Sequence, residues 1–244
     1  MSGHSKWAKI KRAKGAADAQ RGNLFTKLIK EISIAARMGG GDPEGNPRLR
    51  TAVIKARGAN MPKDNIDRAI KKGTGDLDGV SYEELTYEAR LGEAAILIEA
   101  LTDNRNRAAA DIRNILTRAG AELAKAGSVS RLLIRRGIIT LDSEKYTEDK
   151  VMEAALDGGA DDVTASDGII EVTTAPEDFE AVAQALEKAG FETTGAEISM
   201  VPEVPVILDA STAGKVLRLI DKLEESDDVQ NVYSNIEVPD DYEE

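Results

Sequence analysis

The hydrophobic period of the chain changes once, at Gly73-Thr74-Gly75-Asp76, and that change divides it into two kinds of folding material. Upstream the pattern is helical. Leu24, Leu28, Ile32 and Ala35 or Ala36 recur at three- and four-residue spacing with Phe25 and Ile29 beside them, the stripe of an amphipathic helix starting near Gly22. Gly39-Gly40-Gly41-Asp42-Pro43 stops it. A second helix turns Leu49, Val53 and Ala56 inward and Arg48, Arg50, Lys55 and Arg57 mostly outward. Asn60-Met61-Pro62 opens a third, a cap with proline in the first turn, which carries Ile66 and Ile70 before Lys71-Lys72-Gly73. Residues 1–20 show little apolar periodicity and read as a basic arm ordered on binding.

Downstream, strand and helix patterns alternate. Ala94–Leu101 is an apolar run of strand length, Asn104–Ala119 a helix, and Arg131–Leu141 strand material around Gly137. Helices near Glu148–Leu156 and Glu177–Ala189 flank strands at Asp162–Ala165 and Gly168–Thr173, with another at Phe191–Met200. Pro205–Leu208, a helix at Ala210–Glu224 and Val229–Val238 add one more strand–helix–strand unit. Residues 148–200 hold a self-sufficient α-β-β-α-β set, while the segments on either side each lack a complete sheet. The expected architecture is α+β and multidomain: a basic helical domain at 1–76, a discontinuous α/β domain at 80–142 plus 203–240, and an inserted α/β domain at 143–202.

Charge follows the same division. Residues 1–75 carry 17 Lys/Arg against 6 Asp/Glu, a net of +11, while the remainder carries 15 against 38, a net of −23, which together give the overall −12. A basic segment on an acidic chain points to a polyanion partner, and the acidic remainder keeps the molecule soluble. The chain has no cysteine, which removes disulfides, Cys-ligated metals and thiol nucleophiles from consideration. With 4% aromatic residues, its cores must be built from Ala, Val, Ile and Leu. No apolar run approaches the roughly 20 residues that span a bilayer. No apolar stretch follows the N-terminal lysines, so a secretory signal is not expected and a cytoplasmic address is.

Lys6, Lys9, Lys11, Arg12, Lys14 and Arg21 can lay cationic groups along a phosphate backbone. Trp7 among them either stacks on a base or docks on a core. His4 is the single histidine and has no Cys or His partner, so a metal site or a triad on this arm is not expected. Gly39–Pro43 followed by Asn46-Pro47-Arg48-Leu49-Arg50 could cradle phosphate at a helix N-terminus, although a tight interhelical turn explains such a run more simply. In Thr102-Asp103-Asn104-Arg105-Asn106-Arg107, two arginines in a first helical turn oppose the helix dipole, which calls for a bound anion or neighbouring carboxylates. The acidic pairs sit at element ends, and none has a spacing that argues for hydrolysis or a two-metal site.

Met1-Ser-Gly-His-Ser-Lys-Trp7, Arg21-Gly22, Phe25–Ile29, Gly39–Pro43, Asn46–Arg50, Asn60–Asp64, Thr102–Arg107 and Gly127-Ser128-Val129, in this order, resemble the YebC/PmpR family. The resemblance implies an N-terminal helical bundle and two α/β (ferredoxin-like) domains, the last inserted in the middle one, with no catalytic residues and no cofactor. Two departures fall in the middle domain, at Ala89–Ala94 and Ala119–Ala124, where the family has a Gly-Pro-rich turn and a Gly-Gly-Asn-Leu-Gly run. The family's members are labelled probable transcriptional regulators, and mitochondrial relatives act as translational activators.

The expected function is therefore a non-enzymatic, nucleic-acid-binding regulator of gene expression. Phosphate contacts are expected from the arm, with Arg48, Arg50, Arg105 and Arg107 as secondary candidates. The alternative is a ribosome-associated factor contacting ribosomal RNA or tRNA, since phosphate contacts alone carry no sequence information. No membrane and no small-molecule substrate is expected. The acidic α/β domains could receive protein partners.

Overall fold

Helix α1 (Asp18–Gly39) owes its position to one buried stripe, Leu28, Ile32, Ala35 and Ala36, which packs on α2 (Pro47–Gly58) and α3 (Lys63–Thr74). The partners contribute Leu49, Ala52, Val53, Ala56, Met61, Ile66 and Ala69, so this core is almost wholly aliphatic. The structure, a computed structural model, describes residues 18–77, 81–166, 168–239 and 242, with side chains described from Gly22 onward. Leu24, expected on the inward stripe, is exposed because the three-helix core begins about a turn further on. Gly73 fixes the closest approach of α3 to α1: a Cβ there would stand 2.2 Å from the Ser33 carbonyl oxygen.

The first sheet has the order β3-β1-β2-β9, built from β1 (Glu83–Leu91), β2 (Ala94–Thr102), β3 (Glu122–Leu123) and β9 (Val229–Ser234), all antiparallel. Strand β1 is not legible in the sequence. Its inward residues Leu85, Tyr87, Ala89 and Leu91 alternate with Glu84, Thr86, Glu88 and Arg90, and the charges mask the period. A two-residue turn at Gly92-Glu93, with Gly92 at φ 61, joins β1 to β2 where the family pattern departs. One face of β2, carrying Ala94, Ile96, Ile98 and Ala100, packs under α4 (Arg105–Arg118) and α7 (Ala210–Glu224) through Ile112, Leu116, Val216, Leu219, Ile220 and Leu223. On the other face Ala95 and Leu97 meet Val129 and Leu133. The last strand, expected to run unbroken over 229–238, divides at Asn235. The Asn235 side chain accepts from the Ala95 N–H (2.7 Å), and β10 (Ile236–Glu237) then pairs in parallel with β8 (Val206–Ile207).

The second sheet has the order β5-β6-β4-β7: β5 (Asp162–Ser166), β6 (Ile169–Thr174), β4 (Leu133–Asp142) and β7 (Thr193–Pro202). Helices α5 (Glu148–Asp157) and α6 (Phe179–Lys188) cover one face around Ile139, Leu141, Val151, Ile170, Val172, Val182 and Leu186. The strand Leu133–Asp142, expected in the discontinuous domain, thus lies between β6 and β7 in this sheet. Its run Ile138–Leu141 is buried on both faces, as a central strand requires, and Gly137 admits the Phe179 ring, which a Cβ would meet at 2.6 Å. The chain is α+β, a helical N-terminal region followed by two sheet-containing domains. We propose that residues 133–202 are inserted between β3 and β8 of the first α/β domain.

Candidate nucleic-acid interface

Of the residues singled out in the sequence, Lys6, Trp7, Lys9, Lys11, Arg12 and Lys14 lie outside the described residues. Arg21 belongs to α1, and its side chain is not among those described. The glycine turn at 39–43 is closed from within. The Asn46 side chain, 5% exposed, donates to the carbonyls of Ala35 (2.8 Å) and Gly40 (2.9 Å) and accepts from the Leu49 N–H (3.1 Å). Asn46 therefore caps α2 with the group that a bound phosphate would otherwise replace, and it ties the end of α1 to the start of α2.

The two arginines of this motif are engaged inside the molecule. Arg48 holds Glu31 with two nitrogens (2.7 and 3.1 Å) and reaches Glu84 on β1. The Glu31 hydrogen bond, against the cost of desolvation and with help from Glu84, raises its guanidinium pKa well above the ordinary value. Arg50 donates to the carbonyls of Pro43 (3.2 Å) and Glu44 (3.3 Å) and stands 3.7 Å from Glu180. These contacts brace the loop.

At the start of α4, Asn104 caps the helix through the Arg107 N–H (3.0 Å), and the hydroxyl of Thr102 accepts from the Asn104 N–H (3.0 Å). Neighbouring carboxylates answer the arginine at this N-terminus. Arg107 reaches Asp103 (2.6 Å) and both oxygens of Asp228 (3.0–3.1 Å), whose other partner is Lys30 (2.7 Å). Burial pushes the Asp228 carboxyl up, but hydrogen bonds from Lys30 and Arg107 outweigh it and hold the group below its usual range. Arg105 is exposed and makes no ion pair among the described residues.

A different set of cations faces solvent. Arg57 at the end of α2, and Lys63, Arg68, Lys71 and Lys72 of α3, are all exposed and have no ion pair among the described residues. Arg68, Lys71 and Lys72 stand at i, i+3 and i+4 and so share one face, opposite the buried Ile66 and Ala69. In the sequence Lys71-Lys72 reads as the end of the helix, and the i, i+3, i+4 spacing is the signal for this face. Among the described residues, no His, Cys, Asp and Glu group could hold a metal, and no helix is long and apolar enough to cross a membrane.

Comparison with known proteins finds similarity over nearly the whole chain. Residues 5–76 match the model described as the TACO1/YebC protein N-terminal domain, and residues 82–236 match that of the TACO1/YebC second and third domain. A probable transcriptional regulatory protein of Treponema denticola is 62% identical over 244 residues, covering 100% of this chain and 99% of its own. Its counterpart in Treponema pallidum is 60% identical over 240 residues, covering 98% of each. The crystal structure of a conserved hypothetical protein from Aquifex aeolicus superposes with a TM-score of 0.82 at 44% identity, covering 92% of this chain and 93% of that one. With both parts matched in order and the same fold in a solved relative, this chain belongs to the TACO1/YebC family.

Proposed function

We propose that this protein is a non-enzymatic regulator of gene expression that binds nucleic acid through its N-terminal domain. The observation that carries this reading is the set of exposed cations Arg57, Lys63, Arg68, Lys71 and Lys72, which make no ion pair among the described residues of a chain whose net charge is −12. Cations left without carboxylate partners on such a chain are available to phosphates, and their binding releases condensed counterions. The arm lysines Lys6, Lys9, Lys11 and Lys14 with Arg12 and Arg21 extend the same charge, and Arg105 is a further candidate. Arg48, Arg50 and Arg107, held by protein partners, contribute less to binding in this reading. The relatives are named probable transcriptional regulatory proteins; from that role we infer DNA as the target and cytoplasm as the compartment in which it would be met.

The test is binding of duplex DNA and of structured RNA at several salt concentrations. If about six phosphates are contacted, affinity falls on the order of a thousandfold between 50 and 200 mM salt. Charge reversal of Arg68, Lys71 and Lys72 to Glu lowers affinity on both nucleic acids and flattens the salt slope, while reversal of Arg48 acts mainly on stability. An unchanged slope after the triple reversal rejects this face. Crosslinking in cells separates the targets: promoter DNA supports transcriptional control, and recovery of ribosomal RNA instead places the protein at the ribosome.

A further inference from the structure

The core of the helical domain and the core beneath the first sheet are separate hydrophobic clusters. A set of polar contacts runs between them. Asn23, Lys27 and Lys30 form one stripe of α1, at i, i+4 and i+7, against the corner 224–228 that ends α7. The Asn23 side chain donates to the Glu225 carbonyl (2.8 Å), and Lys27 donates to that of Glu224 (2.6 Å). Lys30 donates to the carbonyls of Asp227 (2.8 Å) and Leu101 (3.3 Å) and to the carboxylate of Asp228 (2.7 Å). The last carbonyls of a helix lack partners of their own and carry negative partial charge, so α1 supplies the C-terminal cap of α7 from another domain. On the far side Asp228 is gripped by Arg107. The Lys30 and Asp228 side chains are 8% and 6% exposed.

We propose that this corner is a latch. Asp228 and Lys30 are positioning residues that hold the helical domain in one orientation on the α/β body, and loss of the Asp228 charge frees that domain as a unit with both cores intact. Elsewhere along the joint Arg37 donates to the Ser81 hydroxyl and the Tyr82 carbonyl at an exposed site, and the other ion pairs are more exposed than Lys30–Asp228. Arg48–Glu84 is half exposed, and Arg50–Glu180 and Lys55–Glu197 are solvent-facing pairs at 3.7 and 3.9 Å. Removing one member of a buried ion pair leaves its partner uncompensated, and because the two apolar clusters are separate the strain opens the joint and spares both interiors.

The experiment uses the full chain with Asp228→Asn, Lys30→Met and Lys27→Met. Lys222→Ala serves as control, because it removes only an exposed pair within α7 and its end, at Glu225. The readouts are chymotryptic cleavage at Leu77 in the linker, the radius of gyration in solution, and hydrogen exchange at Ile32 and Ile98, one in each core. For Asp228→Asn and Lys30→Met, Leu77 cleavage is expected to rise roughly tenfold or more, with a larger radius and unchanged protection in both cores. Lys27→Met, which leaves the buried ion pairs in place, gives a smaller rise in the same direction. Unchanged cleavage and radius in the folded variants overturns the latch, as does loss of protection in both cores. Should the two buried variants fail to fold, the absence of any rise in Lys27→Met overturns it alone.

Discussion

Single residues here act mainly by satisfying backbone groups that packing has taken from water. Glu88 is 7% exposed, and its carboxylate accepts from the N–H groups of Gly127 (2.8 Å) and Val129 (2.6 Å), fastening the 124–129 loop to β1. Burial pushes its pKa up, while these hydrogen bonds and those from Ser130 pull it down further, leaving the carboxyl below its ordinary value. A carboxylate depressed in the folded state contributes its stability above the unfolded value of about 4.3 and loses it as pH falls through the folded one. Glu88→Gln should therefore lower stability at neutral pH, and the gap to the parent should close in acid, as followed by urea unfolding from pH 7 to pH 3. A gap independent of pH would contradict the assignment. Gly73→Ala is a steric case. A methyl 2.2 Å from the Ser33 carbonyl must push α1 and α3 apart, at a cost of about 1–3 kcal/mol, readable as a fall in melting temperature.

Among the elements, the junction of α1 and α2 shows how one side chain replaces a ligand. Asn46 makes a cap and two inter-element hydrogen bonds, so Asn46→Ala should cost about 1–3 kcal/mol in chemical denaturation. Asn46→Asp keeps the capping acceptor but sets a carboxylate oxygen against the carbonyls of Ala35 and Gly40, and should cost at least as much as alanine at neutral pH. Helix α1 itself is set by Ile32, which is fully buried, and Ile32→Ala should cost about 2–5 kcal/mol. On α2 the exposed Ile54 should accept lysine with a change within about 0.5 kcal/mol.

At the scale of the whole molecule, separate cores mean that unfolding need not be one event. The cluster around Ile139, Ile170 and Leu186 contains no residue of the other clusters. Leu186→Ala should therefore lower the protection of residues 133–202 by about 2–5 kcal/mol while the amides of Ile32 and Ile98 keep theirs, as hydrogen exchange would report. A uniform loss across all three would show that the units are coupled. Charge follows the same logic. The chain is acidic as a whole, yet the cations of α3 make no ion pair among the described residues, so an exposed basic surface is a property of placement and not of net charge.

Helices and strands are legible in the chain wherever the apolar period runs uninterrupted, as in α1, β2 and α7, because burial of one face imposes that period directly. The division between a basic helical part and an acidic α/β part is legible too, since both composition and period change at residues 73–76. Long-range packing supplied what no local pattern encodes. It paired β4 with the following strands, revealed β1 beneath its charges, filled the glycine turn with Asn46, and gave Lys30, Arg48 and Arg107 carboxylate partners from distant segments. A cation's identity is written in the chain, but whether it is free to meet a phosphate depends on which carboxylates the fold brings within about 4 Å, where the interaction reaches several kcal/mol once partly shielded from water.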